Sequence, residues 1–140
     1  MPYATQADLQ ERYSEDDLLI IADRDMDNQL DADVITQALE DASAEIDGWI
    51  AARYTMPLPT VPDILVRLCA DIAVYRLSVD AAQATDERRQ RYEDAIKFLK
   101  ALSKGDASLG MPKPPKTTSG RARLISNPRR FNRRNLGDLT

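Results

Sequence analysis

Four aspartates and an asparagine crowd one nine-residue stretch, Asp23-Arg-Asp25-Met-Asp27-Asn28-Gln-Leu30-Asp31. Oxygen ligands at alternate positions let a tight loop wrap a hard cation, and this is the opening pattern of an EF-hand loop. Two requirements of that loop are missing. Its glycine position holds Asn28, a mild departure because asparagine tolerates the left-handed conformation. Its final position, where a glutamate supplies two oxygens, holds Val34, and Asp33 is one residue out of register. The stretch reads as an Asx-rich turn ahead of a helix, so no metal site is assigned. A Ca²⁺-regulated helical protein stays open as an alternative that titration calorimetry would settle.

Other chemistry is sparse. The chain has no histidine, which removes the commonest general base and metal ligand together. Its one cysteine, Cys69, lies in an apolar stretch and reads as a small buried hydrophobe; no internal disulfide is possible, which fits a reducing cytoplasm. Asp16/Asp17, Glu40/Asp41 and Glu93/Asp94 are adjacent in sequence, so on helices they point to different faces and make poor acid–base pairs. No Gly-rich phosphate loop, nucleophile elbow or Cys/His cluster occurs. The expectation is a protein without catalysis and without a cofactor.

The charge distribution is more telling. Residues 111–140 carry eight cations (Lys113, Lys116, Arg121, Arg123, Arg129, Arg130, Arg133 and Arg134) and one acid, Asp138, a net of +7. Residues 1–110 hold eleven Lys and Arg against twenty-two Asp and Glu, a net of −11. A basic segment with almost no apolar periodicity cannot fold alone. Its work lies outside its own core, gripping a macromolecule or an acidic surface of another copy. Leu124 and Phe131, with Ala122, Ile125 and Leu136, interleave with the cations and favour a docked strand over a merely solubilising tail. The candidate partner-binding residues are therefore the eight cations together with Leu124 and Phe131.

The elements that position these residues read as helical across the first 104 residues. Thr5 with Asp8, and Ser14 with Asp17, have capping-box spacing and open two short helices. Asp31 is placed to cap a third, whose apolar positions Ile35, Ala38, Leu39, Ala42, Ile46, Trp49, Ile50 and Tyr54 step by three and four. Pro57, Pro59 and Pro62 end it, and Pro62 suits the first turn of a fourth helix over 62–79. That helix is apolar around most of its circumference and is expected at the centre. Arg67 with Asp71, and Arg76 with Asp80, are spaced to pair along it. Thr85 caps a fifth helix, which Gly105 ends. Trp49, Ile46, Leu65, Leu68, Ile72, Tyr75, Ile96 and Leu99 are expected in one core. The fold class is all-α: a bundle of about five helices over 1–110 with an extended basic tail over 111–140. The N-terminus lacks a basic flank and an apolar run, so neither a signal peptide nor a membrane span is expected.

Several stretches, in register and in order, carry a resemblance: Tyr3-Ala-Thr-Gln-Ala-Asp-Leu9, Asp23-Arg-Asp25, the run from Ala38 to Gly48, Arg53-Tyr-Thr-Met-Pro-Leu58, the run from Leu65 to Arg76, and Arg91-Tyr-Glu-Asp-Ala95. Together they resemble the Mu-like bacteriophage family of neck proteins over most of residues 3–110, and less so in the tail. The resemblance implies a head–tail connector, also termed an adaptor or head-completion protein, built as a small helical bundle. It implies a closed ring of about twelve copies beneath the portal. The partners implied are the portal protein, a tail-side stopper or tail-terminator protein, and genomic DNA passing through the lumen without specific binding, with no membrane. The implied location is the virion neck, assembled in the host cytoplasm. The acid-rich loop is similar to a family feature and need not mean metal. The alternative that composition alone supports is a nucleic-acid-binding module acting through the basic tail.

Overall fold

Thr5 begins the first helix with a reciprocal cap: its hydroxyl accepts from the Asp8 N–H, and Asp8 Oδ2 accepts from the Thr5 N–H at 2.7 Å. The computed structural model describes residues 1–112. Among them are five α-helices and no strand: α1 (Gln6–Arg12), α2 (Glu15–Ala22), α3 (Ala32–Ile50), α4 (Asp63–Asp80) and α5 (Asp86–Lys104). Ser14 and Thr85 cap α2 and α5 by accepting from N–H groups three residues on. Gly105, at φ 88°, ends α5 in the left-handed conformation that glycine adopts without a Cβ penalty.

The all-α architecture is as the periodicity implies. Helix α4 is central and meets each of the other four. It buries Leu65, Leu68, Cys69, Ala70, Ile72, Ala73, Val74, Leu77 and Ser78, which lie around most of its circumference. Helix α3 buries one stripe, Ile35, Ala38, Leu39, Ala42, Ser43, Ile46 and Ile50, while α5, far more polar, contributes only Ala95, Leu99 and Leu102. The two buried serines among the described residues are satisfied within their own helices: Ser43 donates to the Leu39 carbonyl and Ser78 to that of Val74.

Several expectations are corrected. Asp31 stands at the N-cap of α3 but makes no side-chain cap. Its Oδ2 accepts from the Arg24 N–H at 2.8 Å, because the preceding loop presents that donor to it. The stripe read through Tyr54 leaves the helix at Ile50; Tyr54 enters the core from the turn beyond, only 4% exposed, and its hydroxyl accepts from the Leu109 N–H. Pro62 is the N-cap rather than a first-turn residue, since its extended backbone delays the helix to Asp63. Finally, Arg76 and Asp80 do not pair. Each finds a partner on another element, Glu45 for Arg76 and Arg24 for Asp80. Of the expected core, Trp49, Tyr75 and Ile96 lie half-buried at its margin, because each also faces a polar neighbour or the solvent side of its helix.

Candidate functional site

The acidic loop between α2 and α3 is built by its own carboxylates. Asp23 accepts from the N–H groups of Asp27 and Asn28, Asp25 also accepts from Asp27, and Asp27 accepts from Gln29 at 2.9 Å. Met26 and Asn28 take positive φ, and the Asp31 N–H closes the loop on the Ala22 carbonyl at 3.1 Å. These are Asx turns, in which an aspartate replaces a backbone acceptor. The arrangement leaves Asp23, Asp25 and Asp27 each with an oxygen within 4.8 Å of the others. Val34, where the missing glutamate would stand, faces a groove on α3 instead.

That groove encloses about 660 Å³. The N-terminal half of α3 and the C-terminal half of α4 form its walls, and Tyr92 of α5 and Arg24 of the loop also line it. Its floor is apolar, from Val34, Ala38 and Leu77, and Val79 on its rim is half exposed. Along one side runs a polar network. Arg76 donates to Glu45 Oε2 at 2.6 Å, and the Tyr92 hydroxyl donates to Glu45 Oε1 at 3.1 Å. The Tyr92 ring stacks on Tyr75 with centroids 4.5 Å apart. Arg76 Nε is buried and has no acceptor among the described residues. The hydrogen bond to Glu45 raises the Arg76 pKa, while burial, followed by the Glu45 charge, raises that of Tyr92.

The electrostatics of the groove are one-sided. Helix α3 contains five acids, Asp33, Glu40, Asp41, Glu45 and Asp47, and no Lys or Arg. With Arg76 held by Glu45 and Arg24 by Asp80, the groove carboxylates of Asp33 and Asp41 have no ion-pair partner among the described residues. Asp41 accepts only a neutral amide, from Gln37 at 3.1 Å. The result is a trough of mixed polar and apolar lining, with more carboxylates than guanidiniums.

Elsewhere the polar groups are consumed by structure. Cys69 is fully buried with its sulfur 3.4 Å from Ser43 Oγ, and burial raises its pKa, so it is not a nucleophile poised for attack. The Tyr3 hydroxyl donates to Asp47, and that of Tyr13 to Asp71 beneath the Arg91 guanidinium. No described helix is long and apolar enough to cross a membrane.

The partner-binding residues assigned from the sequence (Lys113, Lys116, Arg121, Arg123, Leu124, Arg129, Arg130, Phe131, Arg133 and Arg134) lie outside the described residues. The groove was not legible in the sequence, though one signal pointed toward it: nineteen consecutive helical residues with five acids and no cation.

Comparison with known proteins gives a consistent answer. Residues 3–126 match the family described as Bacteriophage Mu, Gp36. The chain is 43% identical over 109 residues to the Mu-like prophage FluMu protein gp36 of Haemophilus influenzae, covering 78% of this chain and 76% of that protein. It is 38% identical over 112 residues to Gene product J of Escherichia phage Mu, covering 79% of this chain and 78% of the relative.

Proposed function

Because the chain belongs to the bacteriophage Mu Gp36 family, we propose that it is a structural virion protein, an adaptor that forms a ring between the portal and the tail or its stopper. The observation that carries this reading is the division of charge within a phage protein: a helical body of −11 and a tail of +7. An acidic body repeated around a ring gives a negative lumen, which repels the phosphate backbone and lets the duplex slide without sticking. A cationic arm lets each copy hold a neighbour or the portal by contacts its own bundle cannot make. Ring closure needs a heterologous contact, in which one face of a copy meets a different face of the next. The groove and the cationic tail supply two such different faces. The work proposed is mechanical, with no catalytic step and no cofactor.

The test is genetic and biochemical. A phage lacking this chain should accumulate DNA-filled heads and separate tails, and adding the purified protein should join them into infectious particles. Joined, infectious particles made without the chain would overturn the proposal. A second reading, direct nucleic-acid binding, is favoured by the tail charge alone. It would show as a steep loss of duplex affinity with added salt, with loss of the tail abolishing binding to DNA but not assembly.

A further inference from the structure

The trough between α3 and α4 combines features that select a particular kind of occupant. Its apolar floor needs at least one large hydrophobic side chain to displace water. Its α3 wall offers Asp33 and Asp41 to cations, and the stacked Tyr75–Tyr92 pair also lines it, aromatic surface of the kind a guanidinium packs on. A fitting ligand is an extended peptide with one aromatic residue flanked by arginines. This chain contains that peptide: Arg129-Arg130-Phe131-Asn132-Arg133-Arg134, inside the segment of +7 charge.

We propose that the groove binds residues 129–134 of a neighbouring copy, Phe131 lying on the floor beside Val34 and Val79, and the arginines meeting Asp33 and Asp41. The assignment of the segment rests on charge and shape; its origin in a neighbouring copy rests on the ring reading above. The reach is adequate. The last described residues lie beside the N-terminal end of α4, where the Thr60 hydroxyl donates to Met111 Sδ at 3.7 Å. The groove lies at the opposite end of α4, around Leu77, roughly 20 Å further along the helix axis at 1.5 Å per residue. About seventeen residues separate Pro112 from Arg129, which extended span more than 50 Å, enough to cross from one bundle to the next. Each copy then offers a donor arm from one end and a receptor groove at the other, a heterologous pairing that repeats around a ring.

The test uses the full chain with a photoreactive benzophenone amino acid in place of Phe131, mixed equally as ¹⁴N and ¹⁵N protein and illuminated. Mass spectrometry is expected to find mixed-isotope crosslinks to Val34, Gln37 or Val79. Gln37→Lys with Asp41→Lys should lower their yield at least fivefold, with circular dichroism confirming that the helices persist. Adding Arg130→Glu and Arg133→Glu to that variant should restore much of the yield. Crosslinks confined to one isotope, crosslinks to other surfaces, the absence of any, or diversion to added duplex DNA would each overturn the proposal. Oligomer mass separates the two readings. Rings that form without groove crosslinks sink this inference alone, and groove crosslinks in species that never close sink the ring alone.

Discussion

Glu45 and Arg76 meet across the α3–α4 interface at 2.6 Å, and Glu45 also receives the Tyr92 hydroxyl, so one carboxylate ties three helices together. The four-residue spacing of Arg76 and Asp80 suggested a different, intrahelical pair. The cross-helix contact prevails because the Glu45 side chain is only 20% exposed, where water screens the attraction less than it does around Asp80, 61% exposed.

Glu45→Ala should therefore lower stability by about 1–2 kcal/mol, since it strands both Arg76 and Tyr92. Asp80→Ala, which removes a 3.5 Å pair in open solvent, should cost under about 0.5 kcal/mol. Urea titrations of the two variants decide the matter, and equal costs would show that the network contributes nothing beyond a surface pair.

Two helix ends invite opposite substitutions. Ala82 follows α4 with φ 55°, a left-handed conformation that strains a residue with a Cβ. Ala82→Gly should raise the melting temperature, by up to about 1 kcal/mol of stability after the greater freedom of glycine in the unfolded chain is offset. At Gly105 a Cβ would lie 2.2 Å from Arg53 Nη1, the group that donates to the Lys104 carbonyl. Gly105→Ala should destabilise by more than about 1 kcal/mol, and Arg53→Ala in the same chain should recover part of the loss.

In the centre of the bundle, Leu68→Ala should cost on the order of 2–5 kcal/mol, because Leu68 is 2% exposed and the surrounding helices cannot fully collapse onto the space left. Thermal or urea unfolding monitored by circular dichroism provides the check. A cost under about 1 kcal/mol would show α4 to be loosely packed.

Alkaline pH should unfold the protein through its tyrosines. Burial pushes the Tyr13 pKa from 10.0 up to about 12, and its hydrogen bond to Asp71 adds to the effect. Burial, with help from Asp47, raises Tyr3 in the same direction. The folded state thus holds these protons more tightly than the unfolded chain does. Their contribution is complete below pH 10 and is lost as pH rises through about 12. Tyr13→Phe should flatten the fall in melting temperature above pH 10, and an unchanged slope would count against this account.

Calcium should leave the melting temperature where equal Mg²⁺ leaves it. The loop aspartates are engaged with backbone N–H groups, and the position that would supply a bidentate carboxylate is Val34. A Ca²⁺-specific rise at about 1 mM, abolished by Asp23→Ala, would reverse the conclusion.

What the sequence determined by itself was everything that depends on neighbours along the chain. The caps at Thr5, Ser14 and Thr85, the stop at Gly105 and the central character of α4 follow from local hydrogen bonding and apolar spacing, which act over three or four residues. The Asx turns of residues 23–29 were legible for the same reason, since each aspartate bonds an N–H two to five residues ahead. The charge division was also plain in the sequence, because counting needs no coordinates. Only the tertiary structure decided the rest. Arg76 chose Glu45 over Asp80, and Tyr54 entered the core from outside its helix, because a partner or a space from a distant part of the chain was better placed, while Asp31 gave up its cap to the Arg24 N–H of its own loop. The groove belongs to the same class. It exists because α3, α4 and α5 pack with Tyr75 stacked on Tyr92, and Asp33 and Asp41 share one groove only once Leu77 and Val79, some forty residues away in the chain, lie beside them.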